Sequence, residues 1–182
     1  MTISYVKDTI QAIDLGLSVK WADRNLGANL PTDKGELYAW AELSPKETYT
    51  WANYSDCLDY SGYGPFKESH FCKKIKILTP LEDAVTYKYG MPWRIPTAQE
   101  FEELITKCKW VNENGGYRIY GLNGNSIFLP VYCTPCGLFA YWSATRMRTS
   151  PQHAKVLTIE KNIKIAYRSR FYGYYLRGVY GY

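Results

Sequence analysis

Five cysteines, at positions 57, 72, 108, 133 and 136, and two histidines, His70 and His153, carry the most distinctive chemistry in this chain. Cys133-Thr-Pro-Cys136 is a CxxC pair, and His70-Phe-Cys72 contains two further groups of the kind a tetrahedral zinc site uses. Nothing in the sequence brings His70 to that pair, so a disulfide or two buried thiols is the simpler reading. A zinc deaminase needs a His-x-Glu whose carboxylate moves protons, together with Pro-Cys-x-x-Cys. Here Cys72 stands at the glutamate position and Tyr132 precedes the pair, which excludes that class. A thioredoxin-like centre places its CxxC at a helix start within a βαβ pattern, whereas this pair falls in a loop after an expected strand. No Gly-x-Ser-x-Gly elbow or phosphate-binding glycine loop is present. Glu102 and Glu103 fall on an expected helix and read as a solvated face. No acid, base and nucleophile are assembled, so the chain is expected to be no enzyme and to need no metal or cofactor.

The charge distribution is the second signal. Residues 1–140 hold 14 Lys/Arg against 16 Asp/Glu, while residues 141–182 hold eight Lys/Arg and a single acid, Glu160. The basic residues of this tail are Arg146, Arg148, Lys155, Lys161, Lys164, Arg168, Arg170 and Arg177, and seven tyrosines accompany them. Arg and Lys neutralise phosphates and Tyr stacks on bases, so nucleic acid is one conceivable partner. A solvated strand face with a modest positive excess is the simpler reading and is preferred here.

The elements that must position these residues are legible in part. Ile13–Val19 alternates apolar side chains with Asp14, Gly16 and Ser18, the period of a half-buried strand, and Leu37–Ala41 is a second candidate. Residues 44–78 read as loops. Thr79-Pro-Leu-Glu82 predicts a capped helix running to about Tyr89, where Gly90 stops it. Thr97-Ala-Gln-Glu100 predicts a second helix, with Phe101, Leu104, Ile105 and Cys108 on one stripe. Tyr117–Tyr120 with Ser126–Leu129, and Ala154–Ile159 with Ile163–Arg168, read as hairpins, and Tyr174–Val179 as a closing strand. In the second hairpin Ile163, Ile165 and Tyr167 face one way, and Lys164, Ala166 and Arg168 the other.

The chain of 182 residues shows no repeat and no dividing linker, so one α+β domain over residues 1–182 is expected. No apolar run approaches the roughly 18 residues that cross a bilayer. The opening Met1-Thr-Ile-Ser-Tyr-Val-Lys-Asp8 lacks a basic segment followed by an apolar one, so no export signal is expected there. An odd cysteine count leaves at least one thiol unpaired in a monomer, and the density is too low for a disulfide scaffold. Eighteen Tyr, six Trp and six Phe make the chain 16% aromatic. Tyr couples a rigid apolar ring to a polar tip, which suits binding surfaces.

Trp93-Arg-Ile-Pro-Thr-Ala-Gln-Glu-Phe-Glu-Glu-Leu104 carries a resemblance, joined by Asp14–Trp21, Tyr38-Ala-Trp-Ala-Glu42, Gly124–Pro130 and Tyr141-Trp-Ser143. Together these resemble the Fibrobacter succinogenes major paralogous domain common in gut Bacteroidetes, over nearly the whole chain. The resemblance implies a C-type-lectin-like fold: two helices packed on mixed, mainly antiparallel sheets, with the chain ends close together. The Trp93–Leu104 segment is also similar to the helix motif of formylglycine-generating enzymes, which share that fold. An enzyme or degenerate relative of that type is therefore the alternative, although the catalytic cysteine motif of those enzymes finds no match. Members of the fold serve as variable proteins of diversity-generating retroelements, with a diversified C-terminal stretch on a constant scaffold.

By that resemblance, residues 141–180 form the candidate ligand-binding region of an adhesin or receptor-binding display module. Its exposed positions would be Arg146, Arg148, Ser150, Gln152, His153, Lys155, Asn162, Tyr167, Arg168 and Tyr172. Ala154, Leu157, Ile163, Gly173 and Val179 would hold the fold. The implied partner is a protein or a glycan, in the setting of a cell surface or a phage particle. The calcium-dependent sugar motifs of true C-type lectins are absent, and the segment after Phe128-Leu-Pro130 lacks the family's longer glycine-rich insertion.

Overall fold

Val, Ile, Tyr and Trp fit a pleated, half-buried surface, and strands dominate this chain. The computed structural model describes residues 9–54, 76–134, 137–150 and 152–181. Among them the elements run β1 (Ala12–Ile13), β2 (Lys20–Asn25), β3 (Leu37–Tyr38), a 3-10 turn (Trp51–Asn53), α1 (Ala84–Tyr89), β4 (Trp93–Arg94), α2 (Ala98–Lys107) and β5 (Lys109–Glu113). They continue with β6 (Gly116–Tyr120), β7 (Ser126–Pro130), β8 (Ala140–Arg146), β9 (His153–Ile159), β10 (Ile163–Ser169), β11 (Tyr174–Tyr175) and β12 (Arg177–Tyr180). Three sheets form, in the orders β1-β2-β12-β4, β10-β9-β8-β11-β3 and β5-β6-β7. The β11–β8 pairing is parallel and the other ladders are antiparallel. This is an α+β fold with two helices and mostly antiparallel sheets.

The five-stranded sheet is covered on both faces. Ala140, Trp142, Ala144, Ala154, Val156 and Tyr174 face one apolar cluster, which also holds Leu26, Trp40, Val85 and Trp93. Tyr141, Leu157, Ile159 and Tyr175, on the alternate positions, face a second cluster, built with Phe101, Leu104, Ile119 and Leu129. Two-sided burial explains why β8 reads Ala-Tyr-Trp-Ser-Ala-Thr-Arg without polar alternation. Helix α2 packs on β8, β9 and β10 from the second side. Its cap is as the sequence predicts: Glu100 N donates to Thr97 Oγ1 at 3.2 Å, and Thr97 N donates to Glu100 Oε2 at 2.7 Å.

Four expectations are corrected by local geometry. Only half of the Thr79–Glu82 box forms: Thr79 N and Thr79 Oγ1 both donate to Glu82 Oε2, at 3.1 and 2.8 Å, while Glu82 N donates to the Thr79 carbonyl and closes a turn. Helix α1 starts at Ala84, because the Asp83 carboxylate accepts from Val85 N and Thr86 N, and also from Ile95 N. In the first strand candidate, Gly16 N donates to Asp14 Oδ1 at 2.7 Å and Gly16 has φ 73°, so pairing stops at Ile13 and resumes at Lys20. The second strand ends at Tyr38, ahead of a turn in which Ala41 takes φ 68°. The closing strand divides at Leu176, whose carbonyl accepts from Leu26 N, so β11 and β12 belong to different sheets.

Two arginines of the basic tail are internal struts, which corrects their assignment to a solvated face. Arg177 is fully buried; its guanidinium donates to Asn25 Oδ1, Ala22 O and Phe128 O at 2.8–2.9 Å. It thereby ties β2 and β12 to β7, and burial pushes its pKa down to about 10. Beside it, the Tyr141 hydroxyl donates to Pro130 O and accepts from Asn25 Nδ2, and burial pushes it up to about 12. Arg170 is 1% exposed, with its guanidinium over the rings of Trp40 at 4.6 Å and Tyr54 at 5.3 Å.

Candidate functional site

The β9–β10 hairpin is the frame on which the C-terminal candidates sit. Seven residue pairs, from Ile159 with Ile163 to His153 with Ser169, fix its register. Directly opposed residues of an antiparallel pair share a face, which sorts the candidates into two groups. Lys155 opposes Tyr167, and His153 opposes Ser169, on the side that carries α2 further along the hairpin. The Lys155 ammonium lies 5.9 Å from the centre of the Tyr167 ring. His153 Nδ1 is 2.7 Å from Ser150 Oγ, and Nε2 is 3.5 Å from Ser169 Oγ.

The opposite face carries a row across three strands. Ala154 opposes Arg168 on β10 and Arg146 on β8, so two guanidinium side chains flank one methyl group. Arg146 follows an irregularity that places Trp142 opposite Val156 and then Arg146 opposite Ala154. Its neighbour Thr145 points the other way, where Oγ1 accepts from Ala98 N at the start of α2. The Nε and Nη1 atoms of Arg146 are buried and have no hydrogen-bond partner among the described residues. Arg168 donates to Tyr167 O at 2.9 Å and lies 3.5 Å from Glu160.

The other candidates frame this end or lie apart from it. Arg148, Ser150 and Gln152 belong to the β8–β9 loop, which is held by Met147 N donating to His153 O and Arg170 N donating to Gln152 O. Tyr172 stacks on Phe171 at 4.2 Å, and its carbonyl accepts from Trp142 Nε1. Asn162 is in the β9–β10 turn, at the far end of the ladder, roughly 20 Å away at strand rise. Arg148, Asn162 and Tyr167 are exposed and the other seven candidates are half-buried. The residues assigned to hold the fold differ: Ala154, Leu157 and Val179 are fully buried, Gly173 is buried, and Ile163 is half-buried.

Sequence reasoning missed the roles of Arg170 and Arg177, because arginine is ordinarily a surface residue and nothing in the sequence marks a buried one. It also took Glu103 for solvent-facing. Its carboxylate accepts from Ser18 N and Ser18 Oγ and pairs with Lys107 at 2.8 Å. Desolvation opposes the charge there, but these bonds outweigh it and hold the Glu103 pKa below its ordinary value.

Cys108 and Cys133 are free thiols, and Cys133 is exposed. Burial pushes the Cys108 thiol up. Cys57, His70, Cys72 and Cys136, on which the zinc and CxxC readings depend, lie outside the described residues. An apolar cavity of about 160 Å³ opens beside α1, lined in part by Ile77, Leu78, Met91, Trp93 and Ala144. Among the described residues, no helix is long and apolar enough to cross a membrane. A scan against protein-family models matches none, and searches of curated proteins and of solved structures find no match either.

Proposed function

We propose that this chain is a non-enzymatic recognition module: one C-type-lectin-like domain whose residues 141–180 present changeable side chains to a protein or glycan. The observation that carries this reading is the sorting of side chains within that stretch. The ten candidate positions keep solvent access, while Ala154, Val156, Leu157, Thr158 and Ile159, interleaved with them, are buried. A surface of this kind can change its side chains without disturbing its backbone, so a new ligand brings no new ordering cost. Tyr167 supplies rigid contact area, and Arg146, Arg148 and Arg168 supply directed donors.

The architecture supports the fold assignment: two helices, mostly antiparallel sheets, and β1 and β12 both flanking β2. Burial of Arg170 and Arg177 removes two cations from the surface that phosphates would need, which favours a protein or glycan over nucleic acid. The setting we propose is a cell surface or phage particle, with the module of the kind diversified by retroelements.

A glycan and surface-protein array tests the reading with three proteins: wild type, Tyr167→Ala and Arg168→Ala. The two residues face opposite ways, so the variants are probed separately. A bound spot should weaken at least tenfold in one of them, the loss expected of a central anchor. Equal signals from all three would overturn the proposal.

A further inference from the structure

We infer that the row Arg146–Ala154–Arg168 is an oxyanion site, which takes a carboxylate or sulfate group carried by the ligand. The inference rests on the recognition reading for the ligand that bears the anion, and on the geometry of the row for the site itself.

The starting observation is Arg146. A guanidinium is charged at every physiological pH, and its N–H bonds diverge in one plane. Two of its nitrogens, Nε and Nη1, are buried without an acceptor among the described residues. Arg177, on the neighbouring sheet, shows what this chain does with a structural arginine: all three of its nitrogens have acceptors, two on β2 and one on β7. A buried donor left unpaired is costly, and a charged one more so. The two vacant nitrogens of Arg146 call for more than one oxygen, which an oxyanion supplies.

Its surroundings favour an anion over a neutral acceptor. Arg168 stands on the same face, two strand spacings or about 10 Å away at the backbone, and both stems are long enough to lean inward over the Ala154 methyl. Arg148 is in the adjoining loop. Among the described residues, the acid that meets this row is held weakly. Glu160 reaches Arg168 only at 3.5 Å with both groups partly in solvent. That contact is of a kind that an incoming anion displaces readily.

The test follows the Arg146 Nε–H signal by proton–nitrogen NMR on the full chain. Glucuronate, the amide of N-acetylaspartate and inorganic sulfate are titrated separately, with chloride holding ionic strength constant. A saturable shift with at least one of the three supports the site, and the tightest names the carrier as an acidic sugar, an acidic side chain or a sulfate ester. Arg146→Lys, which keeps the charge and loses the fork and is followed through the Arg168 Nε–H signal in parallel with wild type, should bind that probe at least about tenfold more weakly. A shift linear in concentration for all three, or equal binding by Arg146→Lys, overturns the inference.

A second measurement needs no ligand. Arg146→Met keeps the apolar stem and removes the unpaired donors, so in chloride buffer it should melt no lower than wild type. A fall of more than about 3 °C would show that the guanidinium already has structural partners, and would equally overturn the site. Array binding that survives a failed titration leaves the recognition reading standing without this site. An oxyanion that binds while the array stays blank does the reverse.

Discussion

Replacing Arg177 by alanine tests the scaffold at its most demanding point. Three charge-assisted bonds join Arg177 to Asn25, Ala22 and Phe128, each in a region closed to solvent. Truncation removes all three donors at once and opens a space where the side chain lay. Leaving a buried acceptor without a donor costs about 1–3 kcal/mol, and breaking a buried charged contact typically costs about 3–5 kcal/mol. Bonds that the two carbonyls keep with other groups bring the sum toward the lower part of that range, so we expect a loss of about 4 kcal/mol. For a chain of this size, with a urea slope of about 2 kcal/mol per molar, the unfolding midpoint should fall by about 2 M. Arg177→Lys should lie between, since one ammonium cannot reach all three acceptors, which are divided between β2 and β7. Arg168→Ala is the paired control, with a change of about 0.5 kcal/mol or less expected of a surface position. A midpoint for Arg177→Ala within about 0.5 M of wild type would refute the view that this residue holds β2, β12 and β7 together.

Other consequences are as definite. Glu100 accepts from Thr97 N and pairs with Arg94 at 2.6 Å, so Glu100→Gln should cost about 1–2 kcal/mol at neutral pH by chemical denaturation. Desolvation opposes the Glu100 charge, but the Arg94 and Thr97 bonds outweigh it and lower its pKa from the ordinary 4.5. The stabilisation is therefore full above 4.5 and is lost as pH falls through the folded value. The gap between wild type and Glu100→Gln should close there, and a gap that widens on acidification would refute the assignment. Gly173→Ala should destabilise by about 1–3 kcal/mol in a thermal melt, because a Cβ there would lie 2.6 Å from the Tyr49 ring; an unchanged melt would show that the ring yields freely. Leu104→Ala removes a fully buried side chain between α2 and the central sheet, and a loss below about 2 kcal/mol would contradict the packing described.

Where sequence and structure agree, local chemistry decides. Helix α2 is legible because its capping box and its apolar stripe point to one start and one face. Both hairpins are legible because a turn separates segments of strand-forming residues, and the structure moves their ends by no more than a residue or so. Where they differ, a distant partner decides. Asp83 begins α1 rather than Thr79 because its second oxygen binds Ile95 N, a contact no local pattern encodes. Strand β8 is hidden by two-sided burial, which removes the alternation that would mark it.

The candidate site follows the same rule. Arg148, Asn162 and Tyr167 are exposed. The division of the candidates between two faces comes from register, and the distance of Asn162 from the rest comes from strand length. Neither can be read from residue types. The burial of Arg170 and Arg177 is equally invisible, since their acceptors and rings come from strands and loops far away in sequence.

The account stands most directly on a substitution scan of residues 146–172, read in parallel for folding, by protease resistance, and for binding, to whichever array ligand scores. Substitutions at the exposed and half-buried candidates should leave folding intact and change binding, whereas those at Ala154, Val156, Leu157 and Ile159 should remove both together. If the two sets prove equally damaging to folding, or if no display position alters binding, then this hairpin is ordinary framework and the ligand is held elsewhere.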